Sequence, residues 1–314
     1  MPKFLTVSPD RYGRFGHQTT SIAAGILLAH LTNTKIIEPR YMYFCDKWNK
    51  HANFTKCSRV ATLIPKNLKI SYLEKRENDQ NGNRKWDLNN KNELNELINE
   101  IVDADDDNII NLPFDQSAGL LLKLLNKKVI RDDIKKIFSF NSDEKIVEEP
   151  YICIHIRRGD CTPTNHPTWY VKNEIFIHII NLLPQIIPKN YSVIICTQGD
   201  VSWINSATIS TLISQNRFFI SSTNQLFIND REIVDMRLML NANILIGGSS
   251  SFSRWAGFLG SHTVLIDINR DNENPLKEAI NLDPDSNIDF ISNIICNSIN
   301  LSNTIDEKVN YKIF

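Results

Sequence analysis

After residue 150 the chain repeats one pattern, a short and almost purely apolar run followed by a stretch with helical spacing. The runs are YICIHI (151–156), SVIICT (192–197), RFFIS (217–221), ILIG (244–247) and TVLIDI (263–268). Helices are predicted over 172–183, 231–242 and 252–259, with a short one after Val201. A strand that is apolar on both faces must be covered on both, and strands joined by helices run parallel, so the pattern predicts a helix-covered parallel sheet.

The amino-terminal part repeats the theme on a smaller scale. FLTVS (4–8) reads as a strand, 9–17 as a Gly-containing loop, 19–32 as an apolar helix and KIIE (35–38) as a second strand, which together make a βαβ unit. A chain of 314 residues, 42% of them hydrophobic, can bury the cores of two domains. The fold class expected is α/β with two Rossmann-like halves. Their boundary falls where DDIKKIFSFNSDEKIVEEP gives way to YICIHI, giving 1–145 and 146–314. Residues 74–111 are rich in Asn, Asp and Lys, and predict an irregular insert with one helical patch at Leu94, Leu97, Ile98 and Ile101.

Composition removes several functions. Thirty-five basic against 36 acidic side chains leave a formal charge of -1, so no overall field draws the chain to nucleic acid or an anionic membrane, and an anion site must be local. MPKFLTVSPD has no signal-peptide core and IAAGILLAHL (22–31) is too short to span a bilayer, so a cytoplasmic protein, at most peripheral at a membrane, is expected. Six cysteines occur without a CxxC pair and no zinc cluster is expected; Cys153 and Cys196 read as buried thiols, while spacing leaves Cys45 and Cys57 either paired or free.

Ligands of open parallel sheets bind beyond the carboxyl ends of the strands, so the loops after Ile156, Thr197 and Ile246 are predicted to share one crevice. In YICIHIRRGD, alternation puts Ile152, Ile154 and Ile156 on one face and Cys153, His155 and Arg157 on the other. One arginine there can hold two phosphate oxygens at any working pH, and the other, Arg158, suits an ion pair with Asp160. In GGSSSFSRWAGFLG (247–260) the glycines permit close approach and the serines stand at a helix start, where Ser251 is either an N-cap or an anion ligand. RYGRFGHQ (11–18) lacks GxGxxG, and Arg14 and His17 are either cleft residues or solvated ones. His178 reads as a satisfied core-edge residue, Trp169 and Tyr170 as residues that begin and pack a helix, and Asp200 as either a turn residue or a cleft ligand.

Together these segments resemble the fucosyltransferase superfamily. HIRRGD (155–160) is similar to the His-x-Arg-Arg-x-Asp element of α-1,2- and α-1,6-fucosyltransferases, and VDMRLMLNANILIGGSSSFSRWAGFLG (234–260) to the Asp-x-x-Leu-Met and Ser-Ser-Phe-Ser-Trp-Trp segments of the bacterial α-1,2 family. GRFGHQ (13–18) resembles the Gly-Arg-Phe-Gly-Asn-Gln of protein O-fucosyltransferases. The resemblance implies a GT-B type fold with an acceptor-side amino-terminal domain and a GDP-sugar-binding carboxy-terminal domain. It implies inverting, metal-independent transfer of fucose from GDP-fucose to a glycan, through an α-1,2 linkage to a galactose-type residue. The acceptor would be lipid-linked or a surface polysaccharide, with no nucleic-acid partner.

Residue by residue, the resemblance implies that Arg157 holds the diphosphate with His155 beside it, that Asp235 binds guanine, and that Ser250 and Ser251 contact the β-phosphate. Arg158, Ser249 and Phe252 complete the donor side, and Arg14, Phe15, Gly16 and His17 close over the sugar. Departures are His17 for Asn, Asn243 for His, Arg254 for the first Trp, and Asn165 where the α-1,6 branch has a basic Glu, which leaves Asp160 or His166 as candidate base. The alternatives are a transferase using another GDP-sugar, or a non-catalytic nucleotide-sugar or glycan-binding protein.

Overall fold

In a computed structural model of the chain, the structure describes residues 4–7, 15–37, 51–61, 69–72, 90–104, 108–112, 128–138, 146–148, 150–200, 202–204, 212–213, 217–221, 231–260, 262, 264–268, 279–285, 289–290, 292–297 and 299. The chain divides into two units, Met1–Asn141 and Ser142–Phe314.

The first unit contains a parallel sheet of five strands, β1 (Phe4–Val7), β2 (Lys35–Ile37), β3 (Val60–Ala61), β4 (Lys69–Tyr72) and β5 (Asn108–Leu112), in the order β3-β2-β1-β5-β4. Helix α1 (Phe15–Leu31) begins four residues earlier than its apolar run predicted, because Phe15 is buried against Phe138, with ring centroids 5.4 Å apart. Polar residues in its first turns are buried too, and Thr20 Oγ1 donates to the Gly16 carbonyl at 2.7 Å. At the other end of α1, His30 Nε2 and Asp133 Oδ2 lie 2.9 Å apart, tying it to α3 (Lys128–Ile137).

Within the polar stretch 74–111 the described residues contain the predicted helical patch and, in addition, a strand. The stretch supplies α2 (Lys91–Asp103), whose N-cap Asn90 accepts from Asn92 N at 3.0 Å and which buries Leu97 and Ile101, and it supplies β5, which lies beside β1 inside the sheet. Three apolar residues in NIINL suffice for a strand paired on both sides. Cys57 is a free, buried thiol, pushed up to about 11 mainly by desolvation, and Cys45 lies outside the described residues.

Among the described residues the second unit has six parallel strands, β6 (Tyr151–Ile156), β7 (Ser192–Thr197), β8 (Phe218–Ile220), β9 (Ile244–Gly248), β10 (Val264–Ile268) and β11 (Ile280–Leu282), in the order β11-β10-β9-β6-β7-β8. Strands β6 and β7 coincide with the predicted runs. The chain moves outward from β6 to β7 and β8, then returns to place β9 on the other side of β6, so strand order reverses between β6 and β9. Side-chain alternation decides the packing. Ile152, Ile154 and Ile156 share a core with Phe176, Ile179, Ile180 and Leu183 of α4 (Asn173–Ile186). Tyr151, Cys153 and His155 face the other way, towards α5 (Arg231–Asn241) and α6 (Ser251–Leu259), and Tyr151 Oη donates to the Leu238 carbonyl at 2.8 Å.

Glycines set the loops at the carboxyl edge. Gly199 has φ +110, and a Cβ on it would sit 3.3 Å from Gly159 N and 3.4 Å from Arg158 Cβ, so the loops after β6 and β7 touch there. Gly199→Ala is expected to lower unfolding stability by about 1–3 kcal/mol through backbone strain, read as a fall in denaturant midpoint at unchanged slope. Gly247 has the same meaning for α6, since a Cβ there would meet Ser253 Oγ at 2.9 Å.

Candidate active site

Where strand order reverses in a parallel sheet, the outgoing loops diverge and open a crevice, and helices that start there aim free N–H groups into it. In the second unit that point lies between β6 and β9, whose loops are HIRRGD and GGSSSFS. The two loops meet: the rings of His155 and Phe252 are 5.8 Å apart at 61°.

The N-cap of α6 is Ser250, correcting the expectation for Ser251. Its side chain accepts from Phe252 N at 3.3 Å, while its carbonyl takes Arg254 N at 3.0 Å. Ser251 is thus the first helical residue, half-buried, at a positive helix end. Ser249 is held at φ 27, a left-handed value that a side chain rarely adopts, and its amide donates to Ile268 O at 3.0 Å. Strain of this kind at a ligand loop costs on the order of 1–3 kcal/mol and must be held by its surroundings.

The two arginines divide labour in the opposite sense to the predicted pairing. Arg157 Nη2 pairs with Asp160 Oδ2 at 3.2 Å, and its guanidinium lies 5.0 Å from the Trp169 ring centre. Arg158 is a strut: it donates to the Arg157 and Val171 carbonyls at 2.8 and 2.9 Å and to Asn173 Oδ1, with its guanidinium carbon 4.5 Å from the Tyr170 ring centre. Trp169 does not pack the helix as predicted. It is 42% exposed and stacks on His166 at 4.6 Å, so Arg157, Trp169 and His166 form one group.

His155 is buried, its Nδ1 has no hydrogen-bond partner among the described residues, and desolvation with help from the Arg157 charge pushes it down to about 3. It is therefore neutral at physiological pH and suits a hydrogen bond to a ligand better than proton carriage. Asp235, buried on α5, is pushed the other way, up to about 6, mainly by desolvation, with Ser221 and Arg231 pulling it down. Its Oδ1 has no hydrogen-bond partner among the described residues. Cys196 Sγ lies 4.0 Å from the Asp235 carbonyl and 3.5 Å from Cys153 Sγ, which links α5 to the centre of the sheet through two buried thiols.

Arg254, which stands in place of the first Trp, is buried and pairs with Asp267 at 2.9 Å. Asp200 is a turn residue, accepting from Ser202 N and Oγ at 2.8 Å each. His178 is hydrogen-bonded to Ser292. In the first unit the Phe15 ring is spent on the core and Gly16 is buried in α1; Arg14 and the His17 side chain lie outside the described residues. No motif marked Arg231, one helical turn before Asp235, or Ser221, at the end of β8. Among the described residues no cluster has the make-up of a metal site, and no helix is long and apolar enough to cross a membrane.

Comparison with known proteins places the chain in a family. A search of curated protein sequences returns no match. The crystal structure of POFUT1 in complex with GDP superposes with a TM-score of 0.53 at 13% identity, covering 89% of this chain and 98% of that one. The apo form of POFUT1 gives 0.52 at 13% identity, covering 89% and 97%. These structures share the fold, a mixed α/β architecture with parallel sheets. The family model described as Glycosyl transferase family 11 matches residues 27–284, most of the chain and all of the loops built above from β6 to α6. The chain therefore belongs to glycosyl transferase family 11 and is a fucosyltransferase.

Proposed function

We propose that the protein transfers fucose from GDP-fucose to a glycan, with inversion and without a metal, forming an α-1,2 linkage to a galactose-type residue. In this reading the fold is of the GT-B type, the second unit binds the nucleotide sugar and the first serves the acceptor side. The observation that carries it is the packing of His155, two residues before Arg157, against Phe252 in the first turn of α6 at the point where strand order reverses. That edge offers a guanidinium, a neutral imidazole, serine hydroxyls and helix-start amides, all of them groups that hold a diphosphate.

The chemistry follows from charge. As the bond to fucose lengthens, negative charge grows on the β-phosphate and positive charge on the sugar ring. Donors fixed before the reaction stabilise the first without reorganising. Arg157 is so fixed by Asp160 and the Trp169 ring, and Ser250 and Ser251 bring the positive end of α6. Asp160 and His166, on the loop after Arg157, are the groups proposed to take the acceptor hydroxyl proton. With an oxocarbenium-like state the hydroxyl needs only weak help, so Asp160→Asn and His166→Ala are expected to cost less rate than loss of Arg157.

The test is transfer of radiolabelled fucose from GDP-fucose to a panel of glycans. Labelled product on galactose-terminated acceptors, with the rate unchanged by EDTA, supports the reading. Tighter binding and faster turnover of GDP-mannose would replace the donor. Donor binding without turnover on any acceptor would favour a binding protein, a reading that Asn165 at the expected base position supports.

A further inference from the structure

Beyond His155, unpartnered buried atoms collect on the same face of the sheet, at the β7 and β8 end. Arg231 Nε and Nη2, Asp235 Oδ1 and Ser221 Oγ have no hydrogen-bond partner among the described residues. Arg231 and Asp235 are one turn apart on α5, yet Nε stands 3.9 Å from Oδ2, too far for a hydrogen bond. Ser221 N donates to Ile195 O at 2.9 Å, which sets Ser221 at the end of β8 beside Cys196, and its hydroxyl favours the ionised Asp235. Folded proteins rarely leave a guanidinium, a carboxylate and a hydroxyl unsatisfied together, and a ligand is one of the few reasons they do.

The group that satisfies them must accept from Arg231 and donate to Asp235. Guanine has O6, an acceptor, followed on the same edge by the N1–H and N2 amino donors. A guanidinium next to a carboxylate presents the complement, one donor and two acceptors. Adenine fails because its N6 amino group would face the guanidinium donor to donor. Uracil fails at its second carbonyl, which would face a carboxylate oxygen. Position fits as well: β8 lies two strands from β6, about 10 Å across the sheet, so the base would sit at one end of the edge and the diphosphate at the other.

We propose that Arg231 is a specificity residue that holds guanine O6, while the Asp235 carboxylate takes the N1 and N2 donors and the neighbouring Ser221 hydroxyl, itself unpartnered among the described residues, is available to turn to that carboxylate and orient it. This rests on the GDP-sugar reading above, which assigns Asp235 to guanine but gives Arg231 and Ser221 no role.

The experiment measures affinities of GDP, IDP and ADP by calorimetry for the wild-type protein, Arg231→Ala and Arg231→Gln. In the wild type GDP binds tightest, IDP is weaker because it lacks the N2 amino group, and ADP is weakest. Arg231→Ala should weaken GDP and IDP alike by about ten- to hundredfold while ADP changes little, because a hydrogen bond from a charged donor is lost. Arg231→Gln, which keeps a neutral N–H donor, should recover part of the preference for GDP over ADP. Melting curves of each variant without ligand separate base reading from folding. If wild-type protein binds no GDP, the donor reading itself fails. If it binds GDP and both variants keep its GDP to ADP ratio, the proposal for Arg231 is overturned and a bridging water is the better partner for these atoms.

Discussion

Replacing Arg157 by alanine should reduce kcat/KM for fucosyl transfer by about three orders of magnitude while the protein remains folded. The guanidinium is half-buried just past the end of β6 and belongs to no apolar core among the described residues, so its removal leaves the sheet intact. Its leverage comes from charge. A unit charge about 4 Å from a phosphate, at an effective dielectric near 20, interacts by roughly 4 kcal/mol, and about 1.4 kcal/mol is tenfold in rate. Arg157→Lys keeps the charge but loses the two-pronged geometry and the flat contact with Trp169, so it should recover only part of the loss. Initial rates over a matrix of donor and acceptor concentrations test this. A variant with an undiminished rate would remove Arg157 from the chemistry.

The second large effect is on donor binding and its pH dependence. Asp235→Asn exchanges an acceptor for an amide donor beneath the guanine N–H groups and should weaken GDP by about a hundredfold. In the wild type the carboxyl is raised to about 6, and the groups around it are Arg231, Glu232, Ser221 and Cys196. Guanine donors need the ionised form, so affinity is full above about pH 7 and falls as pH drops through 6, with Kd about tenfold weaker at pH 5. Stability of the free protein runs the other way. A carboxyl whose folded pKa is raised contributes stability that is full below about pH 4 and is lost as pH rises through about 6. The thermal shift produced by GDP should therefore grow with pH across that window. A GDP affinity that is flat from pH 5 to 8 would take Asp235 out of the base site.

How far the sequence foretold this structure depends on what each segment had to bury. Strands β6 and β7 are buried on both faces, so their apolar runs had sharp ends and were read to the residue. The helical patch at Leu94, Leu97, Ile98 and Ile101 was legible and became the helix of residues 91–103, but the strand NIINL was obscured by the polar window around it, and β11, three residues long, gave too short a pattern to register. The loops of the site were visible because charged and glycine residues ended apolar strands abruptly. Their internal bonding was not. Which arginine pairs with Asp160 depends on where Tyr170 and Asn173 fold back, and Phe15 looked like a ligand residue because its burial comes from Phe138, far along the chain. Arg231 and Ser221 had no motif at all, and only the three-dimensional set of unpartnered atoms around Asp235 reveals them.

The central claim is that one carboxyl edge holds the whole nucleotide, with guanine at α5 and the diphosphate at β6 and α6. Amide hydrogen exchange with and without GDP tests it most directly. The account predicts slowed exchange in three separated segments together, 155–160, 231–235 and 249–253, with no comparable change when ADP replaces GDP. Protection confined to one of the three, or equal for the two nucleotides, would contradict it.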